Sequence, residues 1–317
     1  MRQIIIISFN TFLEIIRQGF FSIILFVFLG LIAASPAFTM FTLAESGKMV
    51  MDTGLASILL CSLLISGFSS SSSISSEIEG RTAQTVLSKP ITRAGFIIGK
   101  SIGLLFSVLL SVYILSIVLI VTVRAGVLDA AWQRLDTTSM FVKLFGLFLS
   151  FLFACFVNYF YDKPFRSCLI LSLAFFYTMG IIFLLFIGPD WNLAFARNLN
   201  LELVKACALI ALSSLIISSV CLALSTRLNL VLTILISVSI FITGLVSDFI
   251  LGEFASAPIF TFFYAIIPNF QIFWMADALI FEKTIPTIYI FNAFLYTVLY
   301  VCAAIIIGIL LFEEREV

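Results

Sequence analysis

The chain is a succession of long apolar runs separated by short polar punctuation. Runs able to cross a hydrocarbon core of about 30 Å, which takes about 20 helical residues, lie at 20–38, 54–74, 97–123, 141–161, 167–188, 203–225, 229–250 and 287–312. They are too long and too continuous for barrel strands. The seven prolines (Pro36, Pro90, Pro164, Pro189, Pro258, Pro268, Pro286) fall in loops or at the ends of runs, where helices tolerate them. The pattern predicts an all-α membrane protein, a polytopic bundle of about eight transmembrane helices in one domain, 1–317. Six is the minimum, if 141–188 re-enters instead of crossing.

Before the first run, Phe9, Phe12, Leu13, Ile16 and Phe20 recur at helical spacing, with Asn10, Thr11, Glu14, Arg17 and Gln18 opposite them. That alternation predicts an amphipathic helix over 1–19 lying in the membrane interface. Glu14 and Arg17 also interrupt any signal-like region, and Ala33-Ala34-Ser35 is followed by Pro36. The first span is therefore expected to be retained.

Composition strengthens this picture. The chain is 62% hydrophobic with 36 Phe and 11% charged residues, and its mean hydropathy is +1.23; soluble domains carry about a quarter charged residues. The absence of histidine removes the commonest general base and transition-metal ligand. The six cysteines lie in apolar runs without C-x-x-C spacing, which reads as packing. No disulfide, metal centre or bound cofactor is expected, and nucleic acid is not an expected partner.

Eight spans put both termini on one side. If that side is cytoplasmic, the inner segments collect Arg2, Arg17, Arg81, Lys89, Arg93, Lys100, Lys163, Arg166, Arg227 and Arg315, the larger share of the basic residues, as the positive-inside rule asks. Trp132, Trp191 and Trp274 fall in outer segments, where they suit interfacial anchoring. The expected location is a bacterial inner membrane. No charged residue sits near the middle of a span by this reading. Gradient-driven carriers commonly need an ionisable or polar site there. The chain offers only Asn158 and Asn292, each read as a hydrogen bond between helices.

Polar residues gather in one place, SSEIEGRTAQTVLSKPITRAGFIIGK at 75–100. Upstream, Ser66-Gly67-Phe68 and Ser69 to Ser73 can bond back to earlier carbonyls and let helices approach closely; a polar transport path is the other reading. Ser76 with Glu79 has the form of a capping box, predicting a short helix from there to about Leu87. Pro90 disfavours helix at Lys89 and closes it. Thr92 can cap the third span, with Arg93 and Lys100 at headgroup level. Gly95-Phe96-Ile97-Ile98-Gly99-Lys100-Ser101 looks like a phosphate loop, but one intervening residue is missing and Ala94 occupies the first glycine position. The required G-x4-G-K-[ST] between strand and helix is not met.

Glu77-Ile78-Glu79-Gly80-Arg81-Thr82, Leu87 to Arg93, and Phe96 to Lys100 together resemble the signature of permease subunits of ABC-2 type transporters, between their second and third spans. Weaker likenesses are Thr11 to Arg17, Leu224-Ser225-Thr226-Arg227 opening a span, Ile267-Pro268-Asn269-Phe270, and the ending Phe312-Glu313-Glu314-Arg315. The resemblance implies a cytoplasmic coupling helix within 75–96 that seats on a separate ABC ATPase subunit. It implies that Glu77, Glu79, Arg81, Thr82, Lys89 and Arg93 meet that subunit, with Gly80 and Pro90 setting the backbone. Glu14 and Arg17 would join the contact. Asp162, Lys163 and Arg166 would form a secondary one. Residues 251–286 resemble the family's extracytoplasmic hairpin, and the pair at 141–188 exceeds the usual six-span core.

The expectation is thus a permease subunit, not itself an enzyme. It would be paired with a second permease subunit, identical or paralogous, and driven by ATP and Mg on the partner ATPase. Export is the expected direction, since nothing suggests a receptor for a solute-binding partner. The alternative is a membrane scaffold or anchor that docks a cytoplasmic partner through the same loop.

Overall fold

A computed structural model describes residues 2–38, 46–79, 92–126, 136–188, 191, 200–251, 267–281 and 283–313. The helices are α1 (Arg2–Arg17), α2 (Gly19–Phe38), α3 (Ser46–Glu79), α4 (Arg93–Ala125), α5 (Thr137–Tyr161), α6 (Phe165–Phe186), α7 (Leu201–Ser225), α8 (Leu230–Leu245), α9 (Ser247–Leu251), α10 (Ala276–Ile280) and α11 (Thr287–Glu313), with a 3-10 turn at Gln271–Phe273. Among the described residues, seven helices (α2 to α7 and α11) are long and apolar enough to cross a membrane. The protein is an all-α integral membrane bundle.

Caps set many of the boundaries. The side chains of Thr92, Asp136, Asn200 and Asn229 accept from the first free N–H groups of α4, α5, α7 and α8. The pair at 141–188 forms two helices of 25 and 22 residues, each of crossing length, joined at Asp162–Pro164. Asp162 turns the chain in the left-handed region (φ 50°), and Asn158 Nδ2 donates to Lys163 O at 2.7 Å. Asn158 therefore secures its own hairpin turn and does not bridge two helices as expected.

The centre of the bundle is α3, α4 and α7, which are largely buried; α2, α5, α6 and α11 turn most of their residues outward. Serines make this close packing possible. Ser62, Ser66 and Ser70 on α3, and Ser213, Ser214, Ser218 and Ser219 on α7, donate back to carbonyls three or four residues earlier. Their hydroxyls need no partner from a neighbouring helix, and their small size lets helix axes approach. At Gly67 a Cβ would lie 2.9 Å from Ile234 Cγ1 of α8.

The run at 229–250 departs from the expected eighth span. Leu224 and Ser225 close α7 and do not open a span, and α8 is only 16 residues, about 24 Å at 1.5 Å per residue. The chain breaks at Val246 and continues as short α9. Residues 267–273 then pack back into the bundle, where Phe270 N donates to Gly244 O at 3.1 Å. Tyrosines on one face of α11 answer this non-helical backbone. Tyr289 Oη donates to Ile272 O at 2.6 Å, Tyr296 Oη accepts from Asn269 N at 2.9 Å, and Tyr300 Oη donates to Ile267 O at 3.4 Å. Tyr300 is near the middle of the 27-residue α11. Irregular backbone at this depth survives only when protein groups satisfy it.

The same fold gives the Asp248 carboxylate a partner on the segment that packs back. Asp248 Oδ1 accepts from Asn269 Nδ2 at 2.7 Å, and Asn269 lies level with Tyr296, about 13 Å along α11 from Thr287.

Tyr296→Phe leaves the Asn269 N–H without its acceptor, which should cost about 1–3 kcal/mol. The thermal midpoint in detergent should fall, whereas Tyr159→Phe, at an outward-facing position, should leave it unchanged.

Candidate functional site

The strip flanks mark one end of the bundle, where α3 ends and α4 begins. Also here are the ends of α1, α5, α7 and α11 and the starts of α2, α6 and α8, as the contacts below require. Gly80, Arg81, Thr82, Lys89 and Pro90 lie outside the described residues. Glu77 and Glu79 are in the last turn of α3. The expected helix start at Ser76 is not made. α3 runs unbroken for 34 residues through Ser76 to Glu79, so the capping-box residues extend a helix already formed. The expected cap at Thr92 is made: its Oγ1 accepts from Gly95 N at 3.1 Å.

Lys100 joins the two flanking helices. Expected at headgroup level, it is instead 4% exposed. Its Nζ donates to Ser73 O at 2.9 Å and Ser73 Oγ at 3.1 Å on α3. Glu14 Oε2 of α1 lies 3.7 Å away, and the Phe96 ring lies beneath the ammonium, 5.6 Å to its centroid. Ser72 Oγ donates to Gln18 Oε1 at 3.0 Å. A cation buried this way is stable only when its donors are answered, and here α3 and α1 supply the oxygens.

The apparent phosphate loop has a different purpose. Gly95, Gly99 and Gly103 form a row at every fourth position of α4, and α1 lies directly on it. A Cβ at Gly99 would come within 2.7 Å of Ile7 Cγ2, and one at Gly103 within 2.6 Å of Ser8 O and 2.7 Å of Thr11 Cβ. Small residues at this spacing let helix backbones approach closely inside a membrane. Thr11, expected on the polar face of α1, is consequently buried, while Ile5, Ile6 and Phe9 face outward. The N-terminal helix is thus amphipathic and separate, as expected, but packed on α4 along its length.

Other helix ends converge here. Arg93 Nη1 donates to Glu313 O at 3.0 Å, Arg227 Nε donates to Leu311 O at 2.8 Å, and the Phe96 and Phe312 rings stack at 5.8 Å. These guanidinium groups answer carbonyls that the end of α11 leaves free and oppose its negative dipole end. Arg166 Nη1 reaches Arg17 O at 3.5 Å. The structure therefore gathers Glu14, Arg17, Arg93, Lys163 and Arg166 at one end, with Asp162 exposed on the adjacent turn. Sequence reasoning placed Lys100 and Arg227 at this end but missed the burial of Lys100 and the bonds that Lys100, Gln18 and Arg227 make between elements. The glycine row was the available signal for the α1 contact.

The opposite end is fixed by the same chemistry. Arg124 donates to Leu184 O and Ile187 O at 2.6 and 2.8 Å and pairs with Asp136 at 3.4 Å. Lys143 donates to Ala33 O at 2.8 Å. Lys205 bridges Glu202 and Ile285 O at 2.8 and 2.9 Å. None of these arrangements offers a nucleophile–base pair, and no metal-holding group of three or more side chains occurs among the described residues.

No protein-family model and no curated protein matches this chain.

Gly103→Val should force α1 off α4, lowering stability by about 1–3 kcal/mol and exposing the Arg17 peptide bond to trypsin. Gly30→Val, where nothing lies within 4 Å of the added Cβ, should do neither. Lys100→Met should be tolerated, since an apolar side chain of similar length replaces the buried cation. Lys100→Glu sets a carboxylate against Ser73 O and Glu14, and should cost about 3 kcal/mol or more, read as loss of monodisperse protein on size exclusion.

Proposed function

We propose that this chain is the membrane-spanning subunit of an ATP-driven transporter of the ABC-2 type, working as an exporter with a separate ATPase. The observation that carries the reading is the polar strip at 75–100, which joins two of the three most buried helices at an end of the bundle shared with α1. The short segment between α3 and α4 would be the docking piece, with Glu77, Glu79, Arg81, Thr82, Lys89 and Arg93 facing the ATPase. A separate α1 packed on α4, and the non-helical residues 267–273 packed against α8 and α11, support the same reading.

The physical requirement is differential binding. An ATPase dimer that grips the strip more tightly in one of its states shifts the helices by no more than that difference in affinity. α3 and α4 are suited to carry such a bias. They are long and continuous, and Lys100 fixes them to each other just inside the strip. Two copies, or this chain with a paralogue, would form the pathway, in the cytoplasmic membrane with both termini inside.

Reversing charge at the strip tests the proposal. Arg81→Glu or Glu79→Arg should abolish stimulation of a co-purified ATPase while the protein still inserts and remains monodisperse. Full stimulation by both variants would sink it, as would labelling of a cysteine at position 81 from the outer face. A scaffold would keep ATPase binding yet move no solute in ATP-loaded vesicles.

A further inference from the structure

A groove of about 650 Å³ lies between α1 and the α5–α6 hairpin at the strip end. Leu13 of α1, Phe153 and Val157 of α5, and Leu171 and Phe175 of α6 make its apolar walls. Arg17 and Lys163 stand at its mouth. Arg166 adds a third cation beside them, its Nη1 at 3.5 Å from Arg17 O and positioned 3.4 Å from where a Cβ on Gly19 would stand. Asp162 on the turn is the nearest acid in sequence, and Glu14 is engaged with Lys100. Among the described residues, neither Arg17 nor Lys163 has a carboxylate at ion-pair distance.

The dimensions identify the occupant. From Pro164 at the mouth to Phe175 at the far end, the wall runs eleven residues of α6, about 16 Å. Half of a 30 Å hydrocarbon core is about 15 Å. The groove is therefore as long as one leaflet is deep; its walls are mainly apolar, the hydroxyls of Ser167 and Ser172 being bonded to backbone carbonyls, and its cations stand at the mouth. A soluble anion would use the mouth and leave the walls uncovered. A zwitterionic lipid would bring a second cation to three already present.

We propose that this groove binds one anionic phospholipid, its phosphate held by Arg17 and Lys163 with Arg166 behind them, and one acyl chain along α6. The lipid would fill the joint between α1 and the hairpin. The inference concerns this chain alone and stands whether or not an ATPase docks on the strip.

The test uses the full-length protein in detergent with dioleoyl phosphatidylglycerol or dioleoyl phosphatidylcholine, followed by native mass spectrometry. Wild type should retain phosphatidylglycerol in preference to phosphatidylcholine. Arg17→Gln/Lys163→Gln should weaken that retention about thirtyfold, at about tenfold for each 1.4 kcal/mol and about 1 kcal/mol per basic residue. Lys283→Gln at the other end should not change it, and Leu171→Trp should block the chain while keeping the cations. Equal retention by the double variant overturns the proposal, including where that variant has lost only its response to an ATPase. Retention unaffected by Leu171→Trp, or displaced equally well by inorganic phosphate, overturns it in favour of a simple anion site. A second measurement needs no variant. Cys168 lies in the groove while Cys155 and Cys302 are exposed elsewhere. Phosphatidylglycerol should slow N-ethylmaleimide labelling of Cys168 alone, and unchanged labelling overturns the proposal.

Discussion

Backbone carbonyls at helix ends must find donors where water is scarce, and this protein assigns its few cations to that need. Arg93, Arg124, Arg227, Lys143 and Lys205 each donate to a main-chain oxygen on a different helix or loop. Lys100 does the same from a buried position. An unanswered group in hydrocarbon costs several kcal/mol, so each bond fixes which two ends are neighbours. The cations thereby act as ties between helices at both faces of the bundle. α11 is held at its C-terminal end by two guanidinium groups and along its length by three tyrosines, although little of its surface is buried.

The interior solves the complementary problem of bringing helices together without a hydrophobic drive between them, since lipid tails are as apolar as leucine. Serines that bond back to their own helices line α3 and α7. Glycines at every fourth position of α4 admit α1. Both devices shorten the distance between axes and replace hydrophobic burial with dense van der Waals contact. They also explain why α3, α4 and α7 form the centre: those are the helices whose sequences keep small residues in register over many turns.

The spans were legible because hydrocarbon thickness dictates their length. The runs 20–38, 141–161, 203–225 and 287–312 differ from Gly19–Phe38, Thr137–Tyr161, Leu201–Ser225 and Thr287–Glu313 by a few residues. The 141–188 pair needed the structure, since apolar runs read alike whether they cross or re-enter. What hydropathy could not convey was direction around a helix. Lys100 sits one turn inside a span and could have reached for water; Ser73 and Glu14 on neighbouring helices draw it inward. Ser76 and Glu79 carry the chemistry of a helix start, but a cap acts only where the preceding residues are not helical, and α3 arrives there intact. The run at 229–250 is apolar enough to read as a span, and its small and polar residues around Thr243-Gly244 and Ser247-Asp248 did not by themselves place the break at Val246. The break follows from Gly244, whose missing side chain admits the carbonyl of Pro268 and the ring of Phe270. At the candidate site the picture was partial. Arg17, Arg93, Lys163 and Arg166 were expected at one face and are found there together, while the strip residues from Gly80 to Ile91 lie outside the described positions.

The ties at the strip end are not equivalent, and the difference bears on how the bundle could move. Arg93 and Arg166 bond at exposed positions, where water can replace the protein acceptor at little cost. Lys100 cannot exchange partners so easily, because a 4%-exposed ammonium that leaves Ser73 must find other acceptors without water. A force on the strip would therefore shift α3 and α4 as a pair, with the exposed arginine contacts to α11 and α1 yielding first. α1, seated on the glycine row, would travel with α4. The α5–α6 hairpin is tied to this unit through α4, where Tyr113 bonds to Thr178 at 2.8 Å and Arg124 to Leu184 O and Ile187 O, while at the groove Arg166 reaches Arg17 O. A lipid there would fill the gap between α1 and the hairpin, and these bonds would make the hairpin move with α4 instead of sliding past it.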